Sequence, residues 1–339
     1  MPAIKKPNLH FDATTYTGTG SNGLAVTNGG FQPDLIWLKS RNNTYYHNLL
    51  DSVRGAGVRL FSNLTDAESD NDCQSSFDSN GFTLNADAGG VNNSTTTYVA
   101  WQWKGGGTAV SNTSGTITSS VSANPTAGFS VVTYTGTGAN ATVGHGLGVA
   151  PSMAIIKRRS TSGSNWLVFH TSMTATSALY LNTAEAKQTF SDIWNNTAPT
   201  STVMSLGTTD NCNLNGGTYV GYFFSAVAGY SAFGSYTGNA STDGPFVYTG
   251  FKPKFLMIKR TDTTNSWVIQ DTTRSTYNVS QNNIYANSSA AEASYGSELT
   301  DILSNGFKQR NTGVSMNASG GTYAYAAFAE APLKYANAR

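Results

Sequence analysis

Two short stretches, Asp51-Ser52-Val53-Arg54 and Asp271-Thr272-Thr273-Arg274, set a carboxylate and a guanidinium three residues apart. Such a pair can clamp a ligand hydroxyl or carboxylate, or it can be an ion pair that fixes a loop. The structural reading is preferred, because His170-Thr171-Ser172-Met173 replaces the pair in a third stretch whose surroundings are kept. Each aspartate lies twelve residues after a lysine, Lys39 before Asp51 and Lys259 before Asp271, and Lys157 holds the same place in the third stretch. A lysine that ends a buried strand ordinarily carries its ammonium out to solvent. A catalytic lysine needs a partner, and none recurs beside these three. Arg41, Arg158, Arg159 and Arg260 follow closely, so Lys39, Arg41, Lys157, Arg159, Lys259 and Arg260 form a candidate basic edge for an anion or a glycan. Trp166 and Trp267 join this candidate ligand-binding set. They stand four residues before His170 and Asp271, where His47 stands four before Asp51. A sugar platform needs such a ring exposed, whereas a core or subunit contact buries it.

Other chemistry is poorly represented. His10, His47, His145 and His170 are scattered, with no two at metal-ligand spacing. No G-x-S-x-G stands at a strand-to-helix step. Glycoside hydrolysis needs two acids across a cleft, yet only Asp51/Asp271 and roughly Glu68/Glu292 recur. The acidic run Asp66-Ala67-Glu68-Ser69-Asp70-Asn71-Asp72 is oxygen-rich enough for Ca²⁺, but a solvated loop explains it as well. Gly18-Thr19-Gly20-Ser21-Asn22-Gly23 fits a dinucleotide pattern without the helix that must follow it, and so reads as a turn. The expectation is no catalytic residue, no metal, no cofactor and no enzyme activity.

The elements that carry these residues come in three copies. Tyr16-Thr17-Gly18-Thr19-Gly20 returns as Tyr134-Thr135-Gly136-Thr137-Gly138 and as Tyr236-Thr237-Gly238. Each tyrosine precedes a proline by seventeen residues (Pro33, Pro151, Pro253), and the lysine follows six later. The copies close on Tyr98-Val99-Ala100-Trp101, Tyr219-Val220-Gly221-Tyr222 and Tyr323-Ala324-Tyr325-Ala326. A unit of about a hundred residues is domain-sized. Alternation of Val99, Trp101 and Trp103, and Asn-Gly pairs at 80–81 and 305–306, predict strands and hairpins. Only Ala184–Lys187 and Ser289–Ala293 look helical. The fold class expected is all-β: three tandem β-sandwich domains, jelly-roll or lectin-like. Residues 1–10 read as an extended arm, 11–104 as repeat 1, 105–128 as a flexible or extended Gly/Ser/Thr linker, 129–230 as repeat 2 and 231–339 as repeat 3. With no second linker, repeats 2 and 3 are expected to pack rigidly while repeat 1 swings.

Composition fits this. Lys and Arg number 20 against 19 Asp and Glu, a net charge of +1 that offers no field for nucleic acid. Two non-equivalent cysteines, Cys73 and Cys212, predict free thiols. The opening residues lack the apolar segment of a signal peptide, and the longest apolar stretch, Val220–Phe233, is too short to span a bilayer.

Four segments together carry a resemblance: Phe31-Gln32-Pro33-Asp34-Leu35-Ile36-Trp37-Leu38-Lys39, Asp51-Ser52-Val53-Arg54-Gly55, Ser76-Phe77-Asp78-Ser79-Asn80-Gly81-Phe82-Thr83-Leu84 and Tyr98-Val99-Ala100-Trp101-Gln102-Trp103-Lys104. With the closing run Tyr323–Pro332, the chain resembles repeat-containing virion proteins of tailed, mostly aquatic, bacteriophages. That resemblance implies a β-sandwich virion component, located in the virion after assembly in the host cytoplasm, and supplies no catalytic residue. The first reading is a tail fibre or adhesin, homo-oligomeric (a trimer on family grounds), touching other virion proteins and a host-surface glycan. The second is a capsid or tail decoration protein anchored by residues 1–10. A glycan depolymerase ranks third.

Overall fold

The computed structural model describes residues 4–86 and 90–330. It is all-β. In repeat 1 a six-stranded antiparallel sheet runs in the order Phe11–Thr17, Thr97–Trp103, Leu35–Ser40, Asn48–Asp51, Val58–Phe61, Ser69–Asp70. Facing it is a smaller sheet of Leu24–Thr27, Gly81–Leu84 and Gln74–Asp78. Repeat 3 has the same order, from Ser231–Thr237 through Thr322–Ala329, Pro253–Arg260, Trp267–Asp271 and Asn282–Tyr285 to Ala293–Ser294. Its small sheet is Phe246–Tyr248, Gly306–Gln309 and Thr300–Leu303. Repeat 2 keeps the pattern with only two strands, Ala141–Gly144 and Val203–Leu206, in its small sheet. In every repeat the first strand pairs with the last, so each copy is tied shut by its own two ends.

The closing strands explain the arrangement. Alternate side chains face opposite ways, and both faces of these strands are apolar. Ala100, Phe223 and Ala327 join cores private to their repeats, whereas Trp101, Trp103, Tyr222, Phe224, Ala326 and Phe328 join one core shared by all three. At its centre Trp103, Phe224 and Phe328, each five residues past its repeat's closing tyrosine, form a triangle with ring centroids 6.0, 5.8 and 5.6 Å apart. A sheet buried on both faces cannot swing away, so the expected mobility of repeat 1 is corrected.

The linker is corrected too. Within 105–128, Ser119–Asn124 pairs with the first strand of repeat 2, and Val110–Asn112 pairs with it in turn. Gly/Ser/Thr composition concealed two strands, the outer one an edge, whose backbone does the bonding. Ala184–Lys187 and Ser289–Ala293 are not helical. Four or five residues cannot offset the cost of a helical nucleus, and their backbone groups bond to other repeats instead, Asn265 N–H to Ala184 O at 2.7 Å and Glu292 N–H to Arg41 O at 2.7 Å. Nor do residues 4–10 form a free arm; residues 1–3 of the expected arm lie outside the described residues. Ile4 is buried in the shared core, and Pro7 opens a 3₁₀ turn, Pro7–Leu9, at the position where proline's missing N–H costs least. Ala331 and Pro332 of the closing motif lie outside the described residues.

Candidate functional site

The recurring residues meet along three seams between repeats, and part of one contact set recurs at every seam. Trp166 Nε1–H donates to Phe61 O of repeat 1 at 2.9 Å, and Trp267 Nε1–H donates to Tyr180 O of repeat 2 at 2.9 Å. His47, in the equivalent place, lies with Nε2 2.9 Å from Tyr285 O of repeat 3. The donors thus run from repeat 2 to 1, from 3 to 2 and from 1 to 3, which closes a ring. Beside them Glu68 N–H bonds to Arg159 O at 3.0 Å, Lys187 N–H to Thr261 O at 3.0 Å and Glu292 N–H to Arg41 O at 2.7 Å, across the same three seams with the donors running the opposite way round.

Asp51 and Asp271 occupy the next level. Arg54 Nε and Arg274 Nε each stand 2.5 Å from the aspartate three residues earlier, with all four side chains fully buried. Each aspartate also accepts from a neighbouring repeat: Asp51 Oδ2 from Tyr222 O–H at 2.9 Å, Asp271 Oδ2 from Trp101 Nε1–H at 3.0 Å. At the third seam Ala326 holds the place of Tyr222 and Trp101 and has no donor. The roles reverse there, and His170 Nε2 meets Tyr325 O at 3.0 Å. The change from Asp/Arg to His/Met in repeat 2 is therefore matched by a change in its partner.

The three lysines are wholly buried, against the expectation that they reach solvent. Lys157 Nζ donates to Ser164 O at 2.9 Å and to Thr65 O of repeat 1 at 3.1 Å. Lys259 Nζ donates to Asn265 O at 2.8 Å and to Ala184 O of repeat 2 at 3.2 Å. Lys39 Nζ stays within its repeat, on Ser40 O and Asn43 O. Carbonyl dipoles replace water around each ammonium, and burial still lowers all three to about 8. Arg159 is held bidentately by Glu68 at 2.8 and 2.9 Å, and Arg41 by Glu292 at 3.0 and 2.8 Å, again across seams. Arg260 pairs within repeat 3 with Asp262. Of the candidate ligand-binding set, then, the three lysines, Trp166 and Trp267 lie inside the molecule, and the three arginines are already engaged by carboxylates. Arg159 alone borders a shallow surface groove, lined by Ser111, Ser119, Ser120, Thr133, Thr135 and Thr218.

The repeated tyrosine-glycine motif builds the fold as well. Tyr16 stacks on Tyr98, Tyr134 on Tyr219 and Tyr236 on Tyr323, at 4.9, 5.1 and 4.9 Å between centroids. Three fully buried asparagines, Asn92, Asn213 and Asn317, accept a loop N–H, from Thr19, Thr137 and Asn239, each at 2.8 Å. A Cβ at Gly18, Gly136 or Gly238 would collide with a backbone oxygen one residue past that asparagine, which is why glycine recurs there. Sequence reading missed these asparagines, although each stands six residues before its repeat's closing tyrosine.

Among the described residues no three His, Cys, Asp or Glu side chains converge to hold a metal ion. Glu68 of the acidic run is committed to Arg159, with Arg54 NH1 3.6 Å away. Cys73 and Cys212 are both buried. Some side chains specific to one repeat lie on the outer surface, among them those of the small sheet of repeat 3. There Phe246 and Tyr248 are exposed beside Lys308, Asp301 and Arg310. Sequence reading passed over them because they recur nowhere.

No curated protein matches the chain. A family model described as a domain of unknown function, DUF7483, matches residues 6–332 and so runs through all three repeats. The chain belongs to the DUF7483 family.

Proposed function

We propose that this chain is a non-enzymatic structural component of a phage virion, a tail fibre or adhesin whose tandem β-sandwich repeats present surfaces to the host. One observation carries the reading: the residues that recur are spent on seams and cores, while outward positions of the small sheets change, Ala25 and Thr27 of repeat 1 standing where repeat 3 has the exposed Phe246 and Tyr248. A constant frame with a variable exterior suits recognition more than catalysis. The sequence resemblance to tailed-phage virion repeats points the same way. Sparse charge and abundant Ser, Thr and Asn favour contacts by hydrogen bonds, and several copies on one particle multiply weak binding by roughly 10²–10⁴. A trimer in the fibre has to use outer faces, since the threefold set of contacts is filled within one chain. The arm-anchored decoration reading loses its motive, because Ile4 and Pro7 already pack against the body.

Labelled full-length protein is expected to bind host cells saturably and to be displaced by unlabelled protein. Binding that stays linear with concentration, from protein shown to be folded, would overturn the adhesin reading and favour decoration through another surface.

A further inference from the structure

We infer that the outer face of the small sheet in repeat 3 binds a neutral saccharide, with Phe246 and Tyr248 as the platform and the Lys308–Asp301–Arg310 cluster holding its hydroxyls. The inference deepens the adhesin reading and rests on it only for its biological meaning.

The face follows from strand register. Val247, Phe307 and Ile302 point into the core of repeat 3, so their neighbours point out. One outward row is Phe246, Lys308 and Asp301; the next is Tyr248, Gly306 and Leu303. Phe246 is 46 % and Tyr248 68 % exposed, two rings side by side on one sheet face, whereas the aromatics matched between repeats, such as Trp166 and Trp267, are buried. Gly306, where a Cβ would collide with Val247 O, also leaves space beside the Phe246 ring, whose Cε2 lies 3.1 Å from that position. The charged half is internally ordered: Lys308 Nζ sits 2.8 Å from Asp243 Oδ1, and Arg310 Nε sits 2.5 Å from Asp301 Oδ2.

These features fit one class of ligand. A pyranose has an apolar C–H face that suits an aromatic ring and a rim of hydroxyls that suits paired donors and acceptors. Two cations balance two carboxylates here, so the face offers no net field for an anionic ligand. Three strands about 4.8 Å apart, two of four residues and one of three, give a face of roughly 10 by 13 Å, room for one or two sugar rings. A stable protein interface needs about 800 Å² per partner, several times more. The other repeats lack the feature. Repeat 1 has Ala25 and Thr27 in place of the two rings; repeat 2 has Thr142 and Gly144, and its edge is crossed by Thr116 and Ile117.

The test is an array of neutral hexose oligosaccharides (glucose, galactose and mannose, four to six units) probed with the full chain. Wild type is expected to be retained on at least one hexose series, and Phe246→Ala and Tyr248→Ala are each expected to weaken that retention about tenfold or more. Asp301→Asn is expected to weaken it as well, and Phe190→Ala, at an exposed ring in repeat 2, to leave it unchanged. No retention on any neutral series, or retention equal in the Phe246→Ala/Tyr248→Ala double variant, would overturn the inference. Saturable host-cell binding that persists in the double variant would do the same while leaving the adhesin reading intact. Host binding lost in that variant, but abolished by protease treatment of the cells and insensitive to periodate, would identify a protein ligand and also overturn it.

Discussion

Asp271→Ala is expected to lower the stability of the whole chain by about 3–5 kcal/mol, the usual cost of leaving one member of a buried ion pair without its partner. The Arg274 guanidinium is fully buried and would keep only Glu292, at 3.0 Å, as a carboxylate partner. Trp101 Nε1–H would lose its acceptor in another repeat, a further penalty for a buried donor. The loss therefore falls on the seam between repeats 1 and 3 as well as on the loop after Asp271. Asp271→Ala/Arg274→Met, which gives repeat 3 the methionine of repeat 2, is expected to cost less than Asp271→Ala alone, because no unpaired charge stays buried. Urea unfolding at neutral pH checks both. A single-variant loss below about 1 kcal/mol would mean that the pair behaves as an exposed one.

Mild acid is expected to have an effect of similar size. His47 and His170 are held neutral by donors aimed at their Nδ1 atoms. Trp37 Nε1–H donates to His47 Nδ1 at 2.8 Å, and Ser172 N–H to His170 Nδ1 at 3.2 Å. Each Nε2 faces a carbonyl of another repeat, so a second proton on the ring would oppose an existing donor. Burial is the main cause that pushes His170 down to about 4 and His47 well below its ordinary 6.5. Below pH 6.5 the unfolded chain takes up these protons and the folded chain refuses them. Stability is full above pH 6.5 and falls as pH drops toward 4. Between pH 7 and pH 5 the two residues together are expected to remove roughly 4 kcal/mol. His145 and His10, also lowered by burial, act in the same direction. Asp34 and Glu298, raised by burial, oppose it. Denaturation midpoints at pH 7 and pH 5 measure the fall. His170→Gln, which can still donate to Tyr325 O, is expected to reduce the pH dependence by about half. A profile flat from 7 to 5 would contradict the locked-tautomer account.

Both effects arise at the seams, and the seams mark the limit of what the sequence makes legible. The threefold spacing of tyrosine, proline and lysine exposes the repeats, and alternation such as Val99, Trp101 and Trp103 exposes the strands, because each is a local pattern. The seam partners are not local. Trp166 finds a backbone carbonyl 105 residues away at Phe61, and a carbonyl carries no residue-type signal. Lys39, Lys157 and Lys259 read as surface cations for the same reason: their acceptors are main-chain oxygens of loops, some from another repeat. The strands inside 105–128 are masked by a composition that suits turns. Phe246 and Tyr248 escape a search for recurrence because they occur once. Recurrence across the three repeats thus identified the frame, and the candidate recognition face lies where recurrence fails.

Scanning calorimetry on the full chain tests most directly whether the recurring residues bind the three repeats into one unit. The shared aromatic core and the closed ring of seam contacts predict a single transition whose calorimetric and van't Hoff enthalpies agree. Two or three separable transitions, with repeat 1 melting apart from repeats 2 and 3, would contradict it.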